Sequence, residues 1–560
     1  LADAATSGGD DDDSTGEILE RQANALEACG RTQEALHAIE DAIALCSLSG
    51  DRDLVVNCER TRGRVLRRVG RHADALAAFE RALEIRQRMA EQGDLEHLHT
   101  EIALIHLQCG RASLALASSE RAVAASKKAG DPRAEARALF ALEAACLRLG
   151  HASRAEELLG QAESLQGAGA EGRVLLRRAE LALFRGKIGE ARQLLDRSDL
   201  LMPRTDTERC SLGVRLQIAE GKTGQAQAAA DSLVEMLDRT HASPDDRAAA
   251  RALAGEAFFA AGWIARAHER WSRAFQEASA PPPRVAAALG LARTAYECGR
   301  PSLGLECLAW AREAAEGMDD PAMLAEFALA EASLCSFEGR HADALAAAER
   351  AIVFARQVGI PLAEARALIA RIGIYETLGA FSRGADDATH LPKVDQPTTR
   401  ASARAALVRL GRWTNVQLPP QETKYLMEQE STDFWGRLDL LAAREGLALC
   451  RHAGAGGRGA WFHLILAQHD AAHALRHTRA AFARGAEEVK WRSFAVQARL
   501  ASKRGAAGEA QDWLRQAGER VAMIAPRCGP FGSQYLAHPE RALLPRPGGL
   551  TQVLGNIVDE

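Results

Sequence analysis

One spacing of apolar, small and polar positions recurs through most of this 560-residue chain. A glycine is followed by a small residue five positions on, an often apolar residue at +9 and usually alanine at +12. The set is first Gly30, Ala35, Ile39 and Ala42, then Gly70, Ala75, Phe79 and Ala82. It returns as Gly110, Ala115 and Ala122, and as Gly150, Ala155, Leu159 and Ala162. Further turn glycines are Gly186, Gly221, Gly262, Gly299, Gly339 and Gly379, with Ala191, Ala226, Ala267, Gly304, Ala344 and Gly384 five positions on. Steps of four and three from the small residue stay on one helical face, so each glycine marks the turn of a helical hairpin. The helix before the glycine often carries a second small residue seven positions earlier, at Ala23, Gly63, Ala103, Ala179, Gly255, Ala292 and Ala332. One hairpin cannot cover its own apolar stripe, and stacking of successive hairpins does.

Between hairpins, Gly50-Asp51, Gly93-Asp94 and Gly130-Asp131 supply a helix stop and then an acid suited to capping the next helix. Pro281, Pro282 and Pro283 predict a longer connection. Residues 1–16, with four consecutive aspartates from Asp10 to Asp13, read as an acidic flexible leader. The regular array is expected over 17–395. Degenerate hairpins are expected over 396–521, after Pro392, Pro397, Pro419 and Pro420 break the pattern. Residues 522–560, rich in proline and glycine, read as a C-terminal cap or tail.

Composition agrees with an all-α chain: apolar residues reach 47% but aromatics only 5%, with alanine dominant. Net charge is −5, from 70 basic and 75 acidic residues, so no global field draws the chain to nucleic acid or an anionic membrane. Neither is expected as a partner. The 11 cysteines contain no C-x-x-C pair, and Cys29, Cys109 and Cys298 each precede a turn glycine, where a small apolar side chain packs at a helix end. Without a long apolar run or a basic-then-apolar leader, a cytoplasmic protein is expected. Residue 1 is Leu, which is compatible with a piece of a longer polypeptide.

Sites of chemistry are scarce. Gly221-Lys222-Thr223 ends like a phosphate-binding loop, but Leu216 stands where that loop needs glycine. His469, His473 and His477 share one helical face at metal-ligand spacing; an exposed polar face is the plainer account. His97, His99 and His106 form a looser group. No catalytic motif survives, so no enzyme, cofactor or metal is expected. Trp271 falls on a core position, and Trp413, Trp435, Trp461 and Trp491 read as core filling first and partner anchors second.

Glycine, small, bulky and alanine residues at these offsets resemble the tetratricopeptide repeat, in the longer-repeat form of bacterial regulators and scaffolds. Its standard unit is about 34 residues, whereas neighbouring turn glycines here lie 35 to 41 apart. The resemblance implies a right-handed superhelical solenoid whose first helices line a concave groove. On that stripe it places Asn57, Arg60, Arg64 and Arg67, with Arg137 and Arg173 further along, where guanidinium forks could take acidic residues of a protein or peptide partner. A carboxylate clamp of the chaperone-receptor kind is not expected, because Arg64, Leu104 and Ala144 replace its asparagines. The implied function is a non-catalytic interaction scaffold that controls its partner's position or activity. The alternative is the sensor region of a larger bacterial signalling protein with an attached ATPase, kinase or protease; the segment from Tyr535 to Arg541 resembles chain that follows such arrays. Oligomeric state is left open.

Overall fold

The computed structural model describes residues 10–89, 94–165, 171–392 and 474–544, except 204, 241, 299, 485–486, 539–540 and 542–543, together with 399 and 403. Among the described residues up to 392, ten antiparallel hairpins follow one another. The first pairs α1 (Asp10–Ala28) with α2 (Thr32–Ser49), the second α3 (Arg52–Arg68) with α4 (His72–Arg88). The third is α5 (Leu95–Gln108) and α6 (Ala112–Ala129), the fourth α7 (Pro132–Arg148) and α8 (Ala152–Ser164). Then come α9 (Glu171–Phe184) with α10 (Ile188–Ser198), and α11 (Thr207–Ala219) with α12 (Thr223–Arg239). The seventh is α13 (Pro244–Ala260) and α14 (Ile264–Glu277), the eighth α15 (Pro281–Glu297) and α16 (Pro301–Ala314). The ninth is α17 (Pro321–Phe337) and α18 (His341–Val358), the tenth α19 (Pro361–Leu378) and α20 (Phe381–Thr389). Past residue 473 lie α21 (Ala474–Arg484), α22 (Glu487–Lys503), α23 (Ala507–Ile524), a 3-10 helix (Ala525–Phe531) and α24 (Gly532–Ala537).

Two local expectations change. Helix α1 begins at Asp10, inside the segment read as a flexible leader; an acidic run suits the positive end of a helix dipole. Pro281 to Pro283 open α15 instead of extending a connection, because the first helical turn needs no amide hydrogen and proline presets its φ.

The turn glycine works as the pattern predicts. Gly70 has φ +83, and the amide after it, that of Arg71, donates to the Leu66 carbonyl five residues back at 2.9 Å. The same bond closes later turns, for example Trp263 to Phe258 at 2.9 Å and Arg340 to Cys335 at 2.8 Å. Small residues then let helices approach. A Cβ on Gly255 would lie 2.6 Å from Trp271 Nε1 and one on Gly290 2.1 Å from Trp271 Cδ2, so glycines from two successive hairpins seat one buried indole. Its N–H donates to the Ala252 carbonyl at 2.9 Å. Gly63 seats Phe79 in the same way.

Successive hairpins join through their first helices, α1 on α3, α5 on α7, α13 on α15, α15 on α17 and α17 on α19, so the first helices form the inner wall of a superhelical solenoid. The superhelix winds tightly enough for its turns to touch. The second hairpin meets the seventh where His72 bonds Asp245, and the third meets the connection after the eighth where the Asp319 amide donates to the Gly110 carbonyl at 3.1 Å. The fourth meets both helices of the ninth: Arg148 pairs with Asp320, the N-cap of α17, at 2.7 Å, and a Cβ on Gly150 would lie 2.5 Å from the Cα of Val358 at the end of α18. One superhelical turn therefore takes between five and six hairpins.

The segment after α23 is a cap. Its 3-10 helix and α24 pack on α18 and α19, and Tyr535 is fully buried against them. Tyr535 donates to Glu488 Oε1 at 2.8 Å, Arg541 reaches Glu488 Oε2 at 3.2 Å, and Trp491 donates to that same oxygen at 2.9 Å. Burial pushes the Glu488 carboxyl up, but His341, Arg492 and Arg541 outweigh it and hold the group well below the carboxylate range. Trp491 is core; Trp413, Trp435 and Trp461 lie outside the described residues. Cys109 and Cys298 are half-buried, whereas Cys29 is exposed, so a cysteine beside the turn is not always packed.

Candidate functional site

The inner wall carries the stripe that the repeat register picks out. Asn57, Arg60, Arg64 and Arg67 follow one another along a single face of α3 and are all partly exposed. They are not solvated independently. Arg64 donates to Asn24 Oδ1 at 2.5 Å and lies 3.9 Å from Glu27; Arg60 lies 3.6 Å from Asp94, and Arg67 3.5 Å from Glu101. Further along, Arg137 contacts His97 Nδ1 at 2.9 Å, and Arg173 stands 3.8 Å from Asp206. Each partner comes from the first helix of a neighbouring hairpin or from the residue at its N-cap position.

Those pairs belong to a longer ladder. Glu180 takes Arg215 at 2.9 Å, Glu256 lies 3.7 Å from Arg293, and Glu326 bridges Arg293 and Arg366, at 2.5 Å each. The rungs share a register: Asn24, Arg64, Glu180, Arg215, Glu256 and Arg293 all stand six residues before their turn glycine. Burial alone would raise the Glu180 carboxyl, but Arg177 and Arg215 hold it at about 2. Chemically, the wall offers guanidinium and carboxylate groups already neutralised by neighbours but still reachable from the groove, as with Arg64, whose side chain is 42% exposed.

One residue that the sequence pattern passed over stands behind this wall. Glu143 occupies the fourth hairpin's position seven before the glycine, where seven of the other hairpins carry a small residue and the remaining two Val214 and Ile372. It is fully buried, neither carboxylate oxygen has a hydrogen-bond partner, and Arg177 Nε approaches only to 3.9 Å. Burial raises its carboxyl to about 8, which Arg177 only partly opposes. An acidic residue at a register position that is otherwise small or apolar was the available signal.

The metal candidates separate. His97 gathers Asp94 and Glu96, with ligand atoms within 4.8 Å of one another, but not His99 or His106. Cationic charge is already present there, since Arg60 and Arg86 flank Asp94 at 3.6 and 3.8 Å and Arg137 occupies His97 Nδ1. Burial lowers the His99 and His106 imidazoles. His469 and His473 lie outside the described residues, and His477 is partly exposed. Gly221 is a hairpin turn with φ +77, and Lys222 pairs with Glu220 at 3.1 Å, so the phosphate-loop likeness is fully used by the turn. No described helix is long and apolar enough to cross a membrane.

Tandem hairpins, an inner wall of first helices and a neutralised charge ladder define a superhelical repeat protein. The tetratricopeptide repeat family matches residues 14–88, the first two hairpins, so the chain carries tetratricopeptide repeats there. No curated protein matches the sequence. Among solved structures, the apo form of the quorum sensor NprR from B. thuringiensis is similar at 13% identity and TM-score 0.36, over 54% of this chain and 87% of that one. The human IFIT1 dimer with PPP-AAAA is similar at 14% identity and TM-score 0.37, over 84% of this chain and 94% of that one. A monomeric IFIT1 mutant with m7Gppp-AAAA gives 15% identity and TM-score 0.40, over 71% and 90%.

Proposed function

We propose that this protein is a non-catalytic scaffold that holds a protein or peptide partner against its inner wall and so controls that partner's position or activity. The observation that carries the reading is the charge ladder: guanidinium groups at Arg60, Arg64 and Arg67 stand side by side on one partly exposed face of α3, each committed to a neighbouring acid through only part of its donor set. A partner with spaced acidic residues can bond the remaining donors without stranding a buried charge. Arg137 and Arg173 extend the same surface along the array. Binding of this kind is moderate and salt-sensitive, because the partner shares each arginine with an internal carboxylate.

The test uses synthetic peptides: one with alternating acidic and apolar residues, and a matched basic one. The acidic peptide is expected to bind the wild type at low salt and to lose affinity for a variant carrying Arg60→Glu, Arg64→Glu and Arg67→Glu of unchanged helicity. Preference for the basic peptide, or equal affinity for both proteins, overturns the acidic-partner reading. A cytoplasmic setting and a regulatory role within a larger bacterial signalling protein remain finer proposals. The segment from Tyr535 to Arg541 gives the latter no weight, since capping accounts for it.

A further inference from the structure

The superhelix touches itself at two seams of opposite chemistry. At the C-terminal seam, hairpins nine and ten meet α22, α23 and the cap through a continuous apolar core in which Ala344, Ala348, Tyr375 and Leu378 pack with Trp491, Val521, Phe531 and Tyr535. At the N-terminal seam, hairpins two to four meet hairpins seven to nine and the connections after them, and no apolar cluster among the described residues spans the two sides. Polar contacts and close-fitting glycines make that seam. His72 bonds Asp245 at 2.7 Å. Asp319 sends its carboxylate to the amides of Ala112 and Ser113, the latter at 2.9 Å, and its own amide to the Gly110 carbonyl. It thereby caps α6, whose own N-cap residue Arg111 makes no side-chain cap. Arg148 pairs with Asp320. Gly110 fits beneath Met318 and Gly150 beneath the backbone at Val358, both at positive φ.

These two chemistries respond differently to opening. Parting the C-terminal seam exposes aromatic and aliphatic surface to water, which opposes separation in proportion to its area. Parting the N-terminal seam exposes polar groups that water can rebond, so most of what is lost is recovered. Array proteins open in units whose cost follows the local interface, and the polar seam is the weaker one.

We propose that the N-terminal seam is a latch: hairpins two to four swing away from hairpins seven to nine as a unit, while the C-terminal seam stays shut, and this opening admits a partner to the inner wall. The gating part rests on the scaffold reading above; the opening itself does not. The Arg60, Arg64 and Arg67 stripe lies on the second hairpin, one of the three that swing. A partner too bulky to thread along the superhelix axis reaches it only when the latch parts.

The experiment measures distances with spin labels introduced as unnatural amino acids, which leaves the native cysteines in place. One pair sits across the latch at the exposed positions Leu114 and Glu316, the other across the apolar seam at Ser382 and Ser533. The unsubstituted 560-residue chain is compared with a variant carrying His72→Ala, Arg148→Ala and Asp319→Ala, and with Asp319→Ala alone, which leaves Asp320 to cap α17. A longer-distance population is expected at 114–316 in both variants, larger in the triple one, with 382–533 unchanged. A single unchanged distance at 114–316, or equal broadening of both pairs, overturns the latch. The acidic peptide is then expected to associate with the triple variant about tenfold faster than with the wild type, as removal of a conformational step predicts. Equal association rates overturn gating, whereas absence of peptide binding to either protein refutes the partner reading and leaves the distance result to decide the latch.

Discussion

His72 and Asp245, 173 residues apart, share a buried hydrogen bond of 2.7 Å that closes one turn of the superhelix on the next. Asp245 also accepts the amides of Ser279 and Ala280, at 2.7 Å each, so one carboxylate ties the second hairpin, the seventh and the connection to the eighth. Burial works to raise the carboxyl, but His72 and the two amides prevail and its pKa is lowered.

Removing that bond weakens the array. His72→Ala is expected to lower the denaturant midpoint by the equivalent of about 1–3 kcal/mol near neutral pH. A depressed acid stabilises above its unfolded pKa, near 3.9, and loses that contribution as pH falls through the folded value. The gap between wild type and variant should therefore close on acidification below about pH 4. Denaturation curves across that range provide the measurement, and a gap independent of pH speaks against the pairing.

Glu143 has the opposite sign. Its folded pKa is raised to about 8, so its favourable contribution is complete below the unfolded value and is lost as pH rises through the folded one. Glu143→Gln keeps the shape and removes the ionisation. Stability is expected to rise by about 1–3 kcal/mol at pH 8, with little change near pH 4. Destabilisation by Gln at pH 8 would show that the carboxylate is well solvated or paired.

How much of this could be read from the chain depends on whether each feature is periodic. The turn glycines, the small residues and the core place of Trp271 repeat, and each repetition reinforces the others. The arginine stripe on α3 was legible for the same reason. Its neutralisation could have been read too, since Asn24 and Arg64, or Glu180 and Arg215, hold one register position in adjacent hairpins and so meet side by side. The seam could not. His72 meets Asp245 only because small rotations accumulate over five hairpins, and no local spacing encodes that sum. Pro281 to Pro283 failed for another reason: proline both breaks a helix and opens one, and the sequence pattern alone did not decide between them.

Gly290→Ala tests the repeat register. Alanine improves intrinsic helix propensity by about 1 kcal/mol, but its Cβ would enter the Trp271 ring at 2.1 Å. Overpacking costs about 1–3 kcal/mol and more where neighbours cannot shift, so net loss is expected. Near-ultraviolet circular dichroism and thermal melting report it. A stabilised variant with an unchanged tryptophan signal contradicts the packing.

The cap depends on Arg541. Arg541→Met leaves Glu488 buried with fewer counter-charges and should cost about 3–5 kcal/mol, as losing one partner of a buried pair does. Tyr535→Phe, which removes only one hydrogen bond, should cost about 1–2 kcal/mol. Proteolysis at the end of α23 is expected to quicken in the order wild type, Tyr535→Phe, Arg541→Met. The reverse order contradicts the network.

The central claim is that partners are held on the inner wall, and site-specific photocross-linking tests it most directly. A photoreactive residue is placed at Arg64, inside the groove, or at the exposed Leu114 on α6, a second helix, and each protein is irradiated with the bound acidic peptide. The account predicts peptide adducts from position 64 and none above background from position 114. Adducts from 114 with none from 64 would place the partner on the outer surface and contradict it.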